Sequence, residues 1–262
     1  MILLIKTKIA SSLHSSQWRT SITPFILNSA IMFIVIEWVD GAGKKTQTNL
    51  LKDKLKEMNK AVDTLSFPMY GHWSATFVEK LLNGEFGRPH DLDPYVASTM
   101  YTLDRFAHQP IIAKKIAVYD YVISDRYSTS NFIHRWAHYM EQGDEGAMRD
   151  FFSWLYDIEF QKAKLPLPDK IFFLSVGLKN IEANLQRKAA EEHRPYIDGD
   201  SHGKLDVVEK DLDYQKYSLL VGKEILPGYF DNYIVIDCED DNGKLLSPQA
   251  IHQKILAKVL EE

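Results

Sequence analysis

Five consecutive residues, Asp40-Gly41-Ala42-Gly43-Lys44, have the composition of a loop that binds phosphate. Successive backbone N–H groups in such a turn form a concave anion site, and a lysine at its end reaches the β- and γ-phosphates of a nucleotide. The loop follows the nearly all-apolar run 33–37 and precedes a segment with helical apolar spacing. This order of strand, loop, lysine and helix predicts an ATP site that is lined by Asp40, Gly41, Ala42, Gly43, Lys44, Lys45 and Thr46.

Two residues depart from the full pattern G-x-x-x-x-G-K-[S/T]. Trp38 occupies the first glycine position, and Lys45 occupies the position whose hydroxyl normally binds Mg²⁺. Thr46 lies one residue later, which on a helix is a rotation of about 100°, so it does not simply take over that role. If the backbone at Trp38 requires a glycine conformation, the indole is strained there and must either cover the nucleotide or be forced outward. The sequence therefore predicts a nucleotide site and leaves its catalytic competence open.

Five apolar runs alternate with long segments of helical spacing, which is typical of a parallel sheet covered by helices on both faces. The fold class that we predict is a doubly wound α/β sandwich. The predicted strands are 33–37, 61–67, 119–124, 170–176 and 233–237, and the predicted helical segments are 73–83, 94–115, 128–142, 146–157, 178–187, 206–226 and 248–260.

Composition narrows the functional class. The chain has 262 residues and a formal net charge of −5, and this charge argues against a broad nucleic-acid-binding surface. Hydrophobic residues at 45% and charged residues at 26% are close to globular averages, so we expect no membrane protein. The single cysteine, Cys238, excludes an internal disulfide and a cysteine-based zinc site. A reducing compartment, the cytoplasm, is the expected location.

The first 31 residues differ from the rest because they contain no Asp or Glu and carry Lys6, Lys8 and Arg19 among several serines. This composition resembles an organellar transit peptide. The alternative, which we favour, is an extension that arises from a start assigned too far upstream, since Met32 directly precedes the first convincing strand. We therefore expect one compact domain over residues 32–262.

A second cluster of polar and aromatic residues follows the other predicted strands. The second strand ends in Phe67-Pro68-Met69-Tyr70, and the third ends in Asp125-Arg126, followed by 128–131 (STSN). In an open α/β sheet, ligands bind at the carboxyl ends of the strands. The planar guanidinium of Arg126 suits phosphate oxygens, so this edge predicts a cleft for a second, phosphorylated ligand.

The motifs taken in chain order resemble the successive signatures of thymidylate kinases. They are 37–47 (EWVDGAGKKTQ), Phe67-Pro68 before Tyr70, Asp104-Arg105 within YTLDR, 125–131 (DRYSTSN) and Glu209-Lys210-Asp211, and they cover the chain from about Met32 to its end. The resemblance implies a P-loop NTPase-type parallel five-stranded sheet with helices on both faces. It also implies ATP- and Mg²⁺-dependent phosphorylation of dTMP to dTDP by a homodimer whose partners are small molecules.

The resemblance assigns roles around the thymine base and the sugar. Tyr101 would stack on the base while Arg105, four residues later on the same helix face, donates hydrogen bonds to it. Asn131 would read the edge of the thymine. Phe67 and Pro68 would form an apolar wall, Tyr70 and His134 would lie near the sugar, and Arg126 would hold the phosphate. The other residues assigned to dTMP are Asp40, Ser130 and Glu209.

A further set of residues is implied in the transfer itself. Lys44, Arg126 and Arg187 would neutralise phosphate charge, and Asp125 would bind ordered water or act near Mg²⁺. Arg187 begins a polar segment, about 187–206, that resembles the closing lid of the family. Asp40 and Glu209 are the candidate metal residues.

Two rival functions remain open. A deoxynucleoside kinase of related fold would use a carboxylate base at the end of the second strand, where residues 67–70 contain none. The other rival is a nucleotide-binding relative whose catalysis is impaired by Trp38.

Overall fold

A computed structural model of the chain describes residues 31–38, 44–87, 92–191, 205–206 and 208–261. Five strands form one sheet in the order β2-β3-β1-β4-β5, and each neighbouring pair is parallel. The predicted parallel five-stranded sheet is confirmed, and each strand lies within two residues of its expected bounds. The strands are β1 (Met32–Trp38), β2 (Val62–Ser66), β3 (Tyr121–Asp125), β4 (Lys170–Ser175) and β5 (Tyr233–Asp237).

The central strands are buried on both faces. In β1 every residue from Phe33 to Trp38 is buried, and in β4 so is every residue from Ile171 to Ser175. Because successive side chains of a strand point to opposite faces, continuous burial means that both faces of the sheet are covered. This arrangement is why the strands appear in the sequence as uninterrupted apolar runs.

Nine α-helices are present in the described part of the chain, together with short 3₁₀ and π segments. The helices are α1 (Lys44–Glu57), α2 (Thr76–Leu82), α3 (Pro94–Ala107), α4 (Gln109–Val118), α5 (Ser128–Gln142), α6 (Glu145–Tyr156), α7 (Leu178–Glu191), α8 (Leu212–Leu220) and α9 (Pro248–Leu260). The 3₁₀ turns are Trp73–Ala75 and Leu226–Gly228, and the π segments are Asp157–Lys162 and Val221–Ile225.

The single helix predicted over 94–115 is wrong, because α3 and α4 meet at His108. The cause is Pro110, which has no N–H to donate and whose ring clashes with the carbonyl four residues earlier in a continuous helix. Pro110 instead occupies the first turn of α4, where a missing N–H costs nothing.

The helix predicted over 206–226 is also shorter than expected. It begins only at Leu212, where the Asp211 side chain accepts a hydrogen bond from the Tyr214 N–H and caps the helix. It ends at Leu220 and continues as a π segment in which Gly222 lies against the ring of Phe173. The start of α8 is therefore set by a capping side chain, and its end by tertiary packing.

In the parts of the chain that the structure describes, none of the helices combines the length and the apolarity that crossing a bilayer requires.

Candidate active site

The ends of β2, β3 and β1 lie side by side, as the strand order shows. The chain continues this pairing just past the strands, where the Phe67 N–H donates to the Asp125 carbonyl at 3.0 Å and the Arg126 N–H donates to the Ile36 carbonyl at 3.1 Å. The three segments that the sequence places around one cleft therefore share one edge of the sheet. This edge is where open α/β sheets bind their ligands.

The predicted phosphate loop lies mostly outside the described residues. Asp40, Gly41, Ala42 and Gly43 are among residues 39–43, which the structure does not describe, and the same holds for the side chains of Lys44 and Lys45. The flanking elements are present, since β1 ends at Trp38, α1 begins at Lys44 and Thr46 is exposed in its first turn. A helix N-terminus directed at this edge supplies unpaired N–H groups and a positive dipole end.

Trp38 belongs to the sheet rather than to the loop. It pairs with Leu174 in the β1–β4 ladder, its side chain is fully buried, and its φ is not positive. The condition for a strained indole, a backbone that requires glycine, is therefore not met at Trp38. An extended strand residue needs no glycine, and the ring packs inside the protein.

Arg126 is held in place by two aromatic side chains. Its backbone adopts a left-handed φ of 64°, which is costly for a residue with a side chain and is typical of functional sites. Its guanidinium carbon lies 5.1 Å from the centre of the Trp38 ring, a cation–π contact. Its Nη1 lies 2.9 Å from His134 Nε2. The cation therefore occupies a fixed position where β3 ends beside β1.

The contact with Arg126 determines the hydrogen-bonding state of His134. A guanidinium only donates, so Nε2 accepts and the imidazole proton is on Nδ1, which faces Ser218 Oγ at 3.4 Å. The ring is buried and stacks on Tyr214 at a centroid distance of 5.8 Å. The structure thus brings His134 to Arg126, the cation predicted to bind phosphate, and the contact of His134 with a sugar stays a prediction.

Glu37 is a buried acid that fixes the start of α5. It accepts hydrogen bonds from the Tyr127 N–H at 3.0 Å and from the hydroxyls of Thr129 and Ser130. Burial raises the pKa of Glu37, and the lowering effects of nearby Arg126 and of these hydroxyls only partly offset it. The hydroxyl of Ser130, a residue predicted to bind dTMP, therefore donates its hydrogen to Glu37, and its oxygen can still accept a hydrogen bond.

The two predicted base-reading residues meet at an acid that the sequence analysis missed. Arg105 is buried and donates from Nε at 3.0 Å and from Nη2 to the carboxylate of Glu159, and Asn131 Nδ2 lies 3.2 Å from the same carboxylate. Burial alone would lower the pKa of Arg105, but Glu159 holds it above its ordinary value, so the guanidinium is charged. Glu159 lies in the π segment Asp157–Lys162. No motif marked it in the sequence.

Tyr101 and Arg105 both lie on α3, as expected. Tyr101 is half-buried, and the guanidinium carbon of Arg135 lies 5.7 Å from its ring centre. One face of the phenol therefore packs against a cation. The stacking of the ring on thymine stays a prediction.

The loop after β2 is anchored by Asp104, the neighbour of Arg105. The Asp104 carboxylate accepts from the Met69 N–H at 2.9 Å and from Ser74 Oγ at 2.5 Å. Phe67 is buried, with ring contacts to Tyr127 and His108, whereas Pro68 is half-buried and Tyr70 is exposed. The loop predicted to form an apolar wall is thus anchored, and the ring of Phe67 faces the interior.

The remaining predicted residues among those described are Glu209, Arg187 and Asp125. Glu209 is buried, and its carboxylate and N–H form reciprocal hydrogen bonds with the Asp206 N–H and carboxylate. Arg187 is exposed on α7, and residues 192–204 of the predicted lid, about 187–206, lie outside the described residues. No cluster of three or more His, Cys, Asp or Glu side chains suited to a metal occurs among the described residues. Asp125 is half-buried at the end of β3.

Comparison with known proteins gives one family. A sequence profile of thymidylate kinase matches residues 36–208. The thymidylate kinase of Mycobacterium tuberculosis (strain ATCC 25618 / H37Rv) is 31% identical over 223 residues, which cover 84% of this chain and 97% of the relative. The human thymidylate kinase is 26% identical over 167 residues, or 63% of this chain and 69% of the relative.

A solved structure is similar in fold. The thymidylate kinase from Candida albicans superposes with a TM-score of 0.62 at 18% identity and covers 89% of this chain and 92% of its own. At this identity the likeness shows the shared α/β architecture.

Proposed function

Because the chain belongs to the thymidylate kinase family, we propose that it transfers the γ-phosphate of ATP to dTMP and forms dTDP and ADP. The observation that carries this proposal is the position of Arg126. It is a cation fixed between Trp38 and His134 at the strand end beside β1, and α1 begins just beyond β1. A guanidinium in this position suits an acceptor phosphate that must approach a triphosphate on the neighbouring loop.

Phosphoryl transfer of this kind requires mainly that the two substrates are aligned and that the charge of their phosphates is neutralised. An oxygen of the dTMP phosphate attacks the γ-phosphorus in line, so no strong general base is required. Arg126 holds the acceptor phosphate, and Lys44 and Arg187 neutralise charge on the transferred group. Asp125 orders water or acts near the metal.

The proposed binding site for dTMP is formed by the residues around Glu37 and Glu159. Arg105 and Asn131 bind the base, and Tyr101 stacks on it. The loop after β2 forms the apolar wall, and Asp104 keeps that loop in register with Arg105. Contacts with the sugar or the phosphate are assigned to Phe67, Pro68, Tyr70, Ser130 and His134.

Mg²⁺ is the proposed metal, and Asp40 and Glu209 are its proposed residues. Carboxylate oxygens are the ligands that Mg²⁺ prefers, and the described residues Asp125 and Glu209 supply such oxygens. The ion would neutralise charge on the β- and γ-phosphates of ATP.

Several wider features belong to the same proposal. Residues 32–262 form the kinase domain, residues of about 187–206 form its lid, and the protein acts in the cytoplasm, which the single cysteine Cys238 favours.

The proposal also includes a homodimer. The dimer is supported by large apolar side chains that are exposed on the neighbouring elements Trp73–Ala75, α2, α3 and α4. This apolar face consists of Trp73, Phe77, Leu103, Phe106 and Ile111.

A substrate panel tests the function. Purified protein with ATP and Mg²⁺ is expected to convert dTMP to dTDP and to leave thymidine unphosphorylated, with products identified by chromatography. The Lys44→Ala variant should lower turnover by about two orders of magnitude or more, because it removes the positive charge that neutralises the transferred phosphoryl group. Phosphorylation of thymidine in place of dTMP would instead establish a deoxynucleoside kinase.

A further inference from the structure

Glu159 is the point on which the polar side chains of the base-reading region converge. It is fully buried, and its two oxygens accept hydrogen bonds from Thr102 Oγ1 at 2.8 Å, Ser128 Oγ at 2.6 Å, Arg105 Nε at 3.0 Å, Arg105 Nη2 and Asn131 Nδ2 at 3.2 Å. All of these groups donate, as a carboxylate requires. A buried acid that satisfies donors from α3 and α5 fixes both helices relative to the π segment Asp157–Lys162.

These contacts determine which atoms of Arg105 remain for a ligand. Nε and one N–H of Nη2 are used on Glu159, which leaves the second N–H of Nη2 and the two N–H groups of Nη1. A guanidinium has no acceptor atom, so Arg105 presents only donors. A ligand group at this position must therefore be an acceptor, such as a carbonyl oxygen.

The orientation of the Asn131 amide follows from the same acid. Its Nδ2 lies 3.2 Å from the Ser98 carbonyl and 3.2 Å from Glu159 Oε1, so both hydrogens point at acceptors. The flipped amide would place Oδ1 against two oxygens, which is repulsive. The Oδ1 atom is therefore the polar atom of Asn131 that remains for a ligand, and it only accepts.

A donor on Arg105 and an acceptor on Asn131 match one class of pyrimidine edge. Thymine and uracil carry an acceptor oxygen at C4 next to an N–H donor at N3. Cytosine carries an amino donor at C4 next to an acceptor nitrogen at N3, the opposite polarity. We propose that Glu159 is a positioning residue that sets this donor–acceptor polarity and so makes the site select 4-oxo pyrimidine monophosphates against cytosine. The proposal deepens the proposed function and rests on it.

The test compares values of kcat/KM for dTMP, dUMP and dCMP in wild-type protein and in two variants. In Glu159→Gln an amide donor replaces one acceptor oxygen, so Asn131 can turn and offer Nδ2 to the base. The preference for dUMP over dCMP, expected to be about 100-fold or more in the wild type, should fall at least about tenfold in this variant. Glu159→Asp keeps two acceptor oxygens, so it should lower kcat/KM and retain the preference.

Thr102→Val is the control for structural damage. Thr102 also donates to Glu159, but it is not one of the two base-reading residues, so its loss should lower stability and leave the base preference unchanged. The methyl group of dTMP, on C5, is neither a donor nor an acceptor, so a change of hydrogen-bonding polarity at N3 and C4 should leave the ratio of dTMP to dUMP constant in all variants.

Two outcomes would overturn the inference. One is a Glu159→Gln variant that turns over dTMP with an undiminished preference against dCMP. The other needs no variant, since wild-type protein that uses dCMP as readily as dUMP has no such polarity, even if Glu159→Gln does not fold. Failure of the proposed function is a different result, namely wild-type protein without turnover of dTMP.

Discussion

At the scale of single residues, the sequence indicates which side chains reach the strand ends but not which partners they have there. Arg126 follows a recognisable apolar strand, so its position could be predicted. The contact of Arg105 with Glu159 joins residues 54 positions apart through a π segment, and that of Asn131 with Glu159 spans 28 positions. Such pairs depend on how the helices pack, so one sequence gives no local signal for them.

Trp38 gives the clearest prediction at this scale. Replacing it with glycine should not free a blocked loop, because the indole is packed in the core and the backbone is extended. Trp38→Gly should lower the free energy of unfolding by about 3–5 kcal/mol, the usual cost of truncating a buried large aromatic residue. Urea denaturation measures this loss.

Trp38→Phe is the matched variant. It keeps an aromatic ring under Arg126 and leaves a smaller cavity, so its loss should be clearly below that of Trp38→Gly. A Trp38→Gly protein that gains turnover while its stability is unchanged would contradict the packing described here and would show that the indole obstructs the nucleotide.

At the scale of elements, the five strands could be predicted because burial on both faces makes each an uninterrupted apolar run. The helix boundaries could be predicted less well. Pro110 divides one predicted helix, and Asp211 begins another by capping it. The π segments Asp157–Lys162 and Val221–Ile225 lie in positions where apolar spacing alone indicates an ordinary helix. The inserted residue depends on tertiary contacts, with neighbouring helices in the first segment and with β4 in the second.

Gly222 shows this dependence on packing and provides a second prediction. A Cβ atom added to it would lie 2.4 Å from the ring of Phe173, which is fully buried in β4 and cannot move aside easily. Gly222→Ala should therefore lower the free energy of unfolding by about 1–3 kcal/mol, the usual cost of overpacking a core. Thermal unfolding of the purified variant measures it.

Gly228→Ala is the control, since a Cβ atom there meets nothing within 4 Å. Its effect should be within about 0.5 kcal/mol of zero, as for most surface substitutions. Equal losses in the two variants would mean that the π segment does not pack on β4 as described.

At the scale of the whole molecule, the apolar face formed by Trp73, Phe77, Leu103, Phe106 and Ile111 is a surface that the single chain leaves exposed. Trp73 is 74% exposed and Leu103 is 52% exposed, on neighbouring elements. Leu103 and Phe106 are three residues apart on α3 and so share one side of that helix. A soluble monomer rarely exposes several large apolar side chains together, which is why we place the proposed homodimer here.

The oligomeric state is the third prediction. A single chain of 30.2 kDa should sediment as a dimer of twice this mass at micromolar concentration. Leu103→Glu should shift the protein toward monomer, because it would bury a charge in an apolar interface. Leu260→Glu makes the same change at an exposed leucine outside the apolar face and should leave the mass unchanged. A wild-type monomer, or a dimer insensitive to Leu103→Glu, would contradict the assignment.

The central claim is that Arg126 at the carboxyl edge of the sheet holds the phosphate of dTMP for transfer from ATP. Its most direct test is the rate of dTDP formation by wild-type protein and by Arg126→Ala, measured side by side with both shown to be folded. We predict dTDP from the wild type and a loss of about 100-fold or more in kcat/KM for the variant, since the positive charge that holds the attacking phosphate is removed. Undiminished dTDP formation by Arg126→Ala would contradict the account.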